Sequence, residues 1–320
     1  MISPFDWLHE DLMVNTVPDS TLGKGNISKG ADLGWSILRK LKNGPHGATL
    51  IDYLADELTS NPDASISVAG HSMGGALTQV FSAYLKRGLP SNTPVEAWVF
   101  AGPTAGDATY ADALTTTLGA DNYHAYINSL DMVPHLWEPD SLAKMCSLYE
   151  KESFCHWPIG ENPIITALQF YLQGISKAGD YKILGQPHSF VVPATKQSLS
   201  TCSEFYAAIL AAYKEELNTG FATLTNICDA PFKEYEELGL QAMLFLAEMG
   251  IQHTTSYTTY FFDDQPNGFA EAVARYTSGP KFAIGSASEN AAEGIDIFKY
   301  FLENAGDYLV SNPPQNCNCN

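Results

Sequence analysis

The stretch Ser65-Ile66-Ser67-Val68-Ala69-Gly70-His71-Ser72-Met73-Gly74-Gly75-Ala76-Leu77 decides the fold. Its first five residues form a short β-rich run. After Ser72 the apolar residues Ala76, Leu77, Val80, Phe81, Tyr84 and Leu85 recur at helical spacing until Arg87-Gly88 closes the stripe. A Gly-x-Ser-x-Gly triplet arises by chance in roughly one chain in ten of this length, so the triplet alone decides little. Its position between a strand and an amphipathic helix decides more. A tight strand-to-helix turn forces the serine into a strained backbone conformation and lifts its hydroxyl clear of the sheet. Glycines are expected at 70 and 74 because a side chain there would collide with neighbouring backbone. The start of the helix contributes a positive dipole end, and the Met73 amide is placed to donate to an oxyanion.

Working outward, residues 29–58 read as two helical stretches. Leu33, Ile37 and Leu41 mark the first, and Leu50, Ile51, Leu54 and Leu58 mark the second. Asn43-Gly44-Pro45-His46-Gly47 separates them, and Asn61-Pro62-Asp63 stops the second. Beyond the serine, Val95–Ala101 reads as a strand ended by Gly102-Pro103, 107–118 as a helix, and Tyr123–Ile127 as a further strand. Strands alternating with helices at this spacing predict an α/β fold, a mainly parallel sheet covered by helices on both faces. From 141 to 230 the rhythm changes. Helical stretches near 163–178 and 203–216 surround irregular sequence, and four of the six cysteines fall within 141–230, which reads as a helical cap or insertion. The segment 233–250 is helical again, with Leu238, Leu240, Met243, Leu244, Leu246 and Ala247 on its apolar face. The expected organisation is a core over 1–140, the cap over 141–230 and a C-terminal part of the core over 231–320.

Composition removes several classes of function. With 36 Asp and Glu against 17 Lys and Arg, the net charge of −19 repels phosphate backbones, which argues against nucleic-acid binding. No run reaches the 18 or so apolar residues that a membrane-spanning helix needs. Met1-Ile2-Ser3-Pro4-Phe5-Asp6 has no basic start followed by an apolar stretch, so no signal peptide is read. The cysteines point instead to an oxidising compartment: Cys146 lies near Cys155, Cys202 and Cys228 bracket a helical stretch, and Cys317 and Cys319 end the chain. There is no Cys-x-x-Cys pair, and no zinc site is read.

Val68-Ala69-Gly70-His71-Ser72-Met73-Gly74-Gly75-Ala76-Leu77 resembles the Gly-His-Ser-Leu-Gly-Gly-Ala-Leu segment of the class 3 lipases, the fungal-lipase-like α/β hydrolases. Phe100-Ala101-Gly102-Pro103-Thr104-Ala105-Gly106 is similar to that family's Phe-Gly-x-Pro-x-x-Gly, and Asn128-Ser129-Leu130-Asp131-Met132-Val133-Pro134 to its Asn-x-x-Asp-x-Val-Pro. The resemblance implies that Ser72 is the nucleophile and Asp131 the acid of a catalytic triad. The residues agree: Asp131 follows a strand directly, where a loop at the sheet's carboxyl edge would hold it. Phe5-Asp6-Trp7-Leu8-His9-Glu10-Asp11-Leu12 resembles the part just after the family's Phe-Arg-Gly-Thr-like segment, which supplies a second oxyanion donor. The chain is therefore expected to start where that strand has already ended. Losing one such donor costs about 10²–10³ in turnover.

The base should follow the acid in chain order, which leaves His135, His156, His188 and His253. His135 is too near Asp131 to come from a separate loop, and His156 falls in the expected cap. His188 lies 57 residues past Asp131, a spacing found in the compact fungal lipases. His253 follows a long apolar helix, and His253-x-x-x-Tyr257 resembles the histidine segment of bacterial lipase-like members. An insertion over 141–230 makes the longer separation the expected one, so His253 is taken as the base with His188 as the alternative. The expected activity is serine-dependent hydrolysis of carboxylic esters, acylglycerols first, with no cofactor and no metal. An esterase or phospholipase for other esters, or a lipase-like interaction module without turnover, are the alternatives. The expected partner is a lipid ester at a lipid–water interface, with Phe170, Tyr171, Leu172 and Ile175 giving the cap an apolar, lid-like surface.

Overall fold

The computed structural model describes residues 13–42, 47–150, 162–192, 235–253 and 255–262. Phe5–Leu12, His156, the helical stretch expected at 203–216, and Cys155, Cys202, Cys228, Cys317 and Cys319 lie outside them. The described residues form two compact units. One takes those up to Ile127 together with Val133–Leu142 and Leu172–Phe190; the other takes Asn128–Met132, Ala143–Tyr171 and those from Val191 onward.

The first unit begins with an antiparallel pair, β1 (Thr16–Pro18) and β2 (Asn26–Ser28). Helix α1 (Lys29–Leu38) follows at once, with the Ser28 hydroxyl accepting from the Ala31 amide as its N-cap. Helix α2 (Leu50–Ser60) starts on a capping box in which Thr49 and Asp52 satisfy each other's backbone amides. Strand β3 (Ile66–His71) then feeds helix α3 (Met73–Gly88) with only Ser72 between them. Strand β4 (Val95–Phe100), helix α4 (Ala108–Leu118) and strand β5 (Tyr123–Asn128) complete the alternating run, and β6 (His188–Phe190) ends the sheet in the order β3-β4-β5-β6. Both β3–β4 and β4–β5 are parallel, with Ile66 opposite Val95 and Ala97 opposite Tyr123.

Burial explains why this register is the stable one. Val95, Ala97 and Val99 alternate inward along β4, and α3 packs over them with Ala76, Val80, Ala83 and Leu85 buried. Thr78, Gln79 and Ser82 of α3 are buried as well, because α1 and α4 also pack against it. The stripe that identifies α1 is not the one it buries. Gly30, Ala31, Gly34 and Trp35 face inward, and Leu33, Ile37 and Leu41 stay exposed. Small residues win that face because α1 lies close to α3: a Cβ on Gly34 would stand 2.8 Å from a methyl of Leu77. Trp35 fills the remaining space against Tyr84 and Phe81, with ring centroids 4.3 and 5.9 Å away.

The second unit is built on helix α6 (Tyr235–His253) and helix α7 (Thr255–Phe262). Ala242, Leu244, Phe245, Leu246 and Met249 of α6 are buried, and the Phe245 ring lies 4.7 Å from that of Tyr149. Helix α5 (Pro163–Ser176) begins within this unit, where the Asn162 carbonyl and side chain hold its first turn. Cys146 is held in a disulfide. No described helix is long and apolar enough to cross a membrane.

Candidate active site

Ser72 sits between β3 and α3 with φ 59° and ψ −130°, a region that non-glycine residues occupy only under constraint. Two sets of backbone hydrogen bonds impose it. The Ser72 amide donates to the Phe100 carbonyl of the neighbouring strand at 3.0 Å, which holds the residue in sheet register. Its carbonyl accepts from the Gly75 and Ala76 amides at 2.7 and 3.3 Å and so starts the helix on the next residue. The hydroxyl is not used to cap the helix. Met73 is the first helical residue, so its amide belongs to the positive end of a 16-residue helix.

The glycines divide the steric work differently from the sequence expectation. A Cβ on Gly70 would stand 2.0 Å from the Gly74 carbonyl oxygen and 2.5 Å from the Thr78 hydroxyl, so glycine is required there. A Cβ on Gly74 would meet no described atom within 4 Å. The second crowded position is Gly75, whose Cβ would lie 2.7 Å from the Gly102 Cα. Gly74 therefore escapes the collision expected of it, because its Cα faces away from β3 while Gly75 faces the loop after β4. On that loop Ala101 holds φ 52° at the position where the family pattern has glycine. A small cavity of about 10 Å³ adjoins the turn, lined by Met73, Ala76, Leu77, Pro103, Thr104 and Trp137 among others. It admits nothing larger than water.

In the second unit the chain leaves β5 in a turn set by Asn128. The Asp131 amide donates to the Asn128 carbonyl at 2.9 Å, and the Leu130 amide donates to Asn128 Oδ1 at 3.2 Å. Tyr149 Oη donates to the Leu130 carbonyl at 2.8 Å. This turn buries the Asp131 carboxyl completely and aims it at the end of α6, where His253 Nδ1 lies 2.9 Å from Asp131 Oδ2. The His253 side chain keeps 14% exposure. An ionised carboxylate only accepts, so this contact places the imidazole proton on Nδ1 and leaves the Nε2 lone pair as the basic site. Tyr257 Oη donates to the same Oδ2 at 3.0 Å and accepts from the Asn128 amide at 2.9 Å. Burial first, then the charge of Asp131, pushes the Tyr257 phenol far above its ordinary range, so it stays a donor. Burial, with Glu248 and Asp131, does the same to Tyr149.

The structure thus brings Asp131 and His253 together across 122 positions of sequence, and it sets Ser72 and Met73 on the strained turn of the first unit. His188 opens β6 in the first unit, exposed, with its ring stacked 5.0 Å from that of Tyr126. Reasoning from sequence missed Tyr257, Asn128 and Gln252 as partners of the acid–base pair. A signal was present for Tyr257 in the His253-x-x-x-Tyr257 spacing noted from the sequence. Among the described residues, no group of three or more His, Cys, Asp or Glu is arranged to hold a metal ion.

A parallel sheet flanked by helices, with a strained serine between strand and helix, is the architecture of the α/β-hydrolase fold. Residues 46–140 match the family described as Lipase (class 3). The secreted mono- and diacylglycerol lipase 1 of Fusarium solani is 32% identical over 78 residues, 24% of this chain and 22% of that protein. The crystal structure of M37 lipase is 30% identical with a TM-score of 0.51, covering 62% of this chain and 66% of that one. The chain spans about a fifth of the length of the curated relative and just under two thirds of the solved one.

Proposed function

We propose that this chain hydrolyses carboxylic esters through an acyl-enzyme on Ser72, with acylglycerols as the substrate class. Ser72 Oγ attacks the ester carbonyl, forming a C–O bond while its proton passes to His253 Nε2. Asp131 orients the imidazole and stabilises the imidazolium. The Met73 amide takes up part of the charge on the carbonyl oxygen. Collapse of the tetrahedral intermediate expels the alcohol, which takes its proton from His253. Water then repeats the sequence on the acyl-enzyme and releases the acid.

The observation that carries this reading is the backbone of Ser72, φ 59° and ψ −130° at a strand-to-helix junction, a conformation with a cost that structural packing alone does not require. The hydrogen bond between Asp131 and His253 supports the roles of acid and base. The family match and the activity named for the Fusarium relative support the substrate class. A fluorophosphonate probe is expected to label the wild-type chain and not Ser72→Ala, with hydrolysis of p-nitrophenyl butyrate and of a diacylglycerol lost in the same variant. Equal labelling of Ser72→Ala would overturn the assignment of the nucleophile.

A further inference from the structure

We propose that Gln252 is a positioning residue for the acid–base pair, clamping the last turn of α6 to the end of β5 so that His253 meets Asp131. The proposal rests on the reading of that pair as base and acid.

The clamp is made of groups that core packing would not choose. Gln252 and Asn128 are both 0% exposed, and Glu248 is 1% exposed. Burying amides and a carboxylate is costly unless their hydrogen bonds are met, and apolar side chains would fill a helix interface at lower cost. Each polar atom of Gln252 is engaged. Nε2 donates to Glu248 Oε1 at 2.8 Å, and Oε1 accepts from Asn128 Nδ2 and from Ser256 Oγ, both at 2.7 Å. Two partners fix which end of the amide is oxygen: the Glu248 carboxylate cannot donate, and Asn128 Nδ2, which also donates to a backbone carbonyl, cannot accept; the Ser256 hydroxyl then donates.

Asn128 closes the circuit. Its Nδ2 also donates to the Gln252 backbone carbonyl at 3.0 Å, one of the carbonyls that a helix leaves without an intrahelical partner at its end. The same residue shapes the turn that carries Asp131, through its carbonyl and Oδ1. One side chain therefore sets the turn bearing the acid and the helix end bearing the base. Gln252, adjacent in sequence to His253, is what it grips. Ser256 extends the grip to the first turn of α7, next to Tyr257 on Asp131.

The geometry specifies a test by exchange of donor and acceptor. In Gln252→Glu an acceptor replaces the donor facing Glu248, so two carboxyl groups oppose each other and the clamp opens. Adding Glu248→Gln restores one donor and one acceptor in reversed order. The readouts are steady-state kinetics on p-nitrophenyl butyrate and the far-downfield proton resonance of His253 Nδ1–H in the full chain. The resonance does not depend on turnover. Gln252→Glu is expected to lower kcat by about 10²-fold with KM within a few-fold, since a misplacement near 1 Å costs that much, and to lose the resonance. The double variant is expected to recover both.

Retention of kcat and resonance in Gln252→Glu, or a double variant as impaired as the single, overturns the proposal. If Gln252→Glu does not fold, Ser256→Ala decides: a folded chain with reduced kcat and a shifted resonance supports the clamp, and unchanged values refute it. Should Ser72→Ala leave hydrolysis intact, the serine mechanism fails, while the resonance still reports whether the clamp holds His253 on Asp131.

Discussion

Alanine at each glycine of the serine turn separates steric need from mere presence in the motif. At Gly70 the new methyl would stand 2.0 Å from the Gly74 oxygen and 2.4 Å from its carbon, well over an ångström inside ordinary contact. Relief requires moving the first turn of α3, which also strains the Thr78 Oγ1 bond to that oxygen, now 2.8 Å. Overpacking of this kind costs about 1–3 kcal/mol, and a weakened hydrogen bond adds about 1. Against this, alanine lowers the entropy of the unfolded chain by about 0.5–1 kcal/mol. Gly70→Ala is thus expected to destabilise by about 2 kcal/mol. At Gly74 only the favourable part remains, in a helical position where alanine exceeds glycine by about 1 kcal/mol. Gly74→Ala is expected to stabilise slightly, and Gly75→Ala, 2.7 Å from Gly102, to fall with Gly70→Ala. Urea unfolding followed by circular dichroism reads the difference. Midpoints for Gly70→Ala and Gly74→Ala should differ by about 1 M or more at unchanged slope. A Gly74→Ala chain as unstable as Gly70→Ala would show that the crowding argument is wrong.

Three further outcomes follow from named contacts. His253→Ala is expected to lower kcat on a short acyl ester by about 10⁶-fold, the order for loss of a triad base, while His188→Ala keeps most activity; the reverse pattern, in the same assay, would make His188 the base. Tyr257→Phe tests the linkage at high pH. Because the folded phenol titrates far above its unfolded value near 10, its contribution is complete below pH 10 and lost above it, by about 1.4 kcal/mol per pH unit; urea midpoints between pH 9 and 11 should fall less steeply in the variant. Trp35→Ala, which empties a site at 1% exposure against Phe81 and Tyr84, is expected to cost about 3–5 kcal/mol in the same unfolding assay.

What the sequence discloses, and what it conceals, follows from the range of the forces involved. The strand, Ser72 and α3 are legible because their constraints are local: backbone sterics at Gly70, a helix starting on the next residue, and period 3.6 in the stripe from Ala76 to Leu85. The class is readable from that turn alone. The burial of α1 is not, because its apolar stripe from Leu33 to Leu41 gives way to Gly30, Ala31 and Gly34, chosen by the closeness of α3 rather than by hydrophobicity.

The acid and base obey a third logic. Asp131 can be found from the motif around it, but its hold on His253 depends on satisfying buried polar atoms contributed by β5, α6 and α7. On a helix pattern Glu248 and Gln252 read as polar interruptions of an apolar face, and Ser256 as an ordinary first-turn residue. Only when α6 is set against the end of β5 do the three become one chain of donors and acceptors that ends at Asn128. The serine half of the site is therefore specified by excluded volume over a dozen neighbouring residues. The histidine half is specified by hydrogen-bond satisfaction across more than a hundred. Substitutions at Gly70 and Gly75 should therefore act through stability, and those in the Gln252 clamp through kcat.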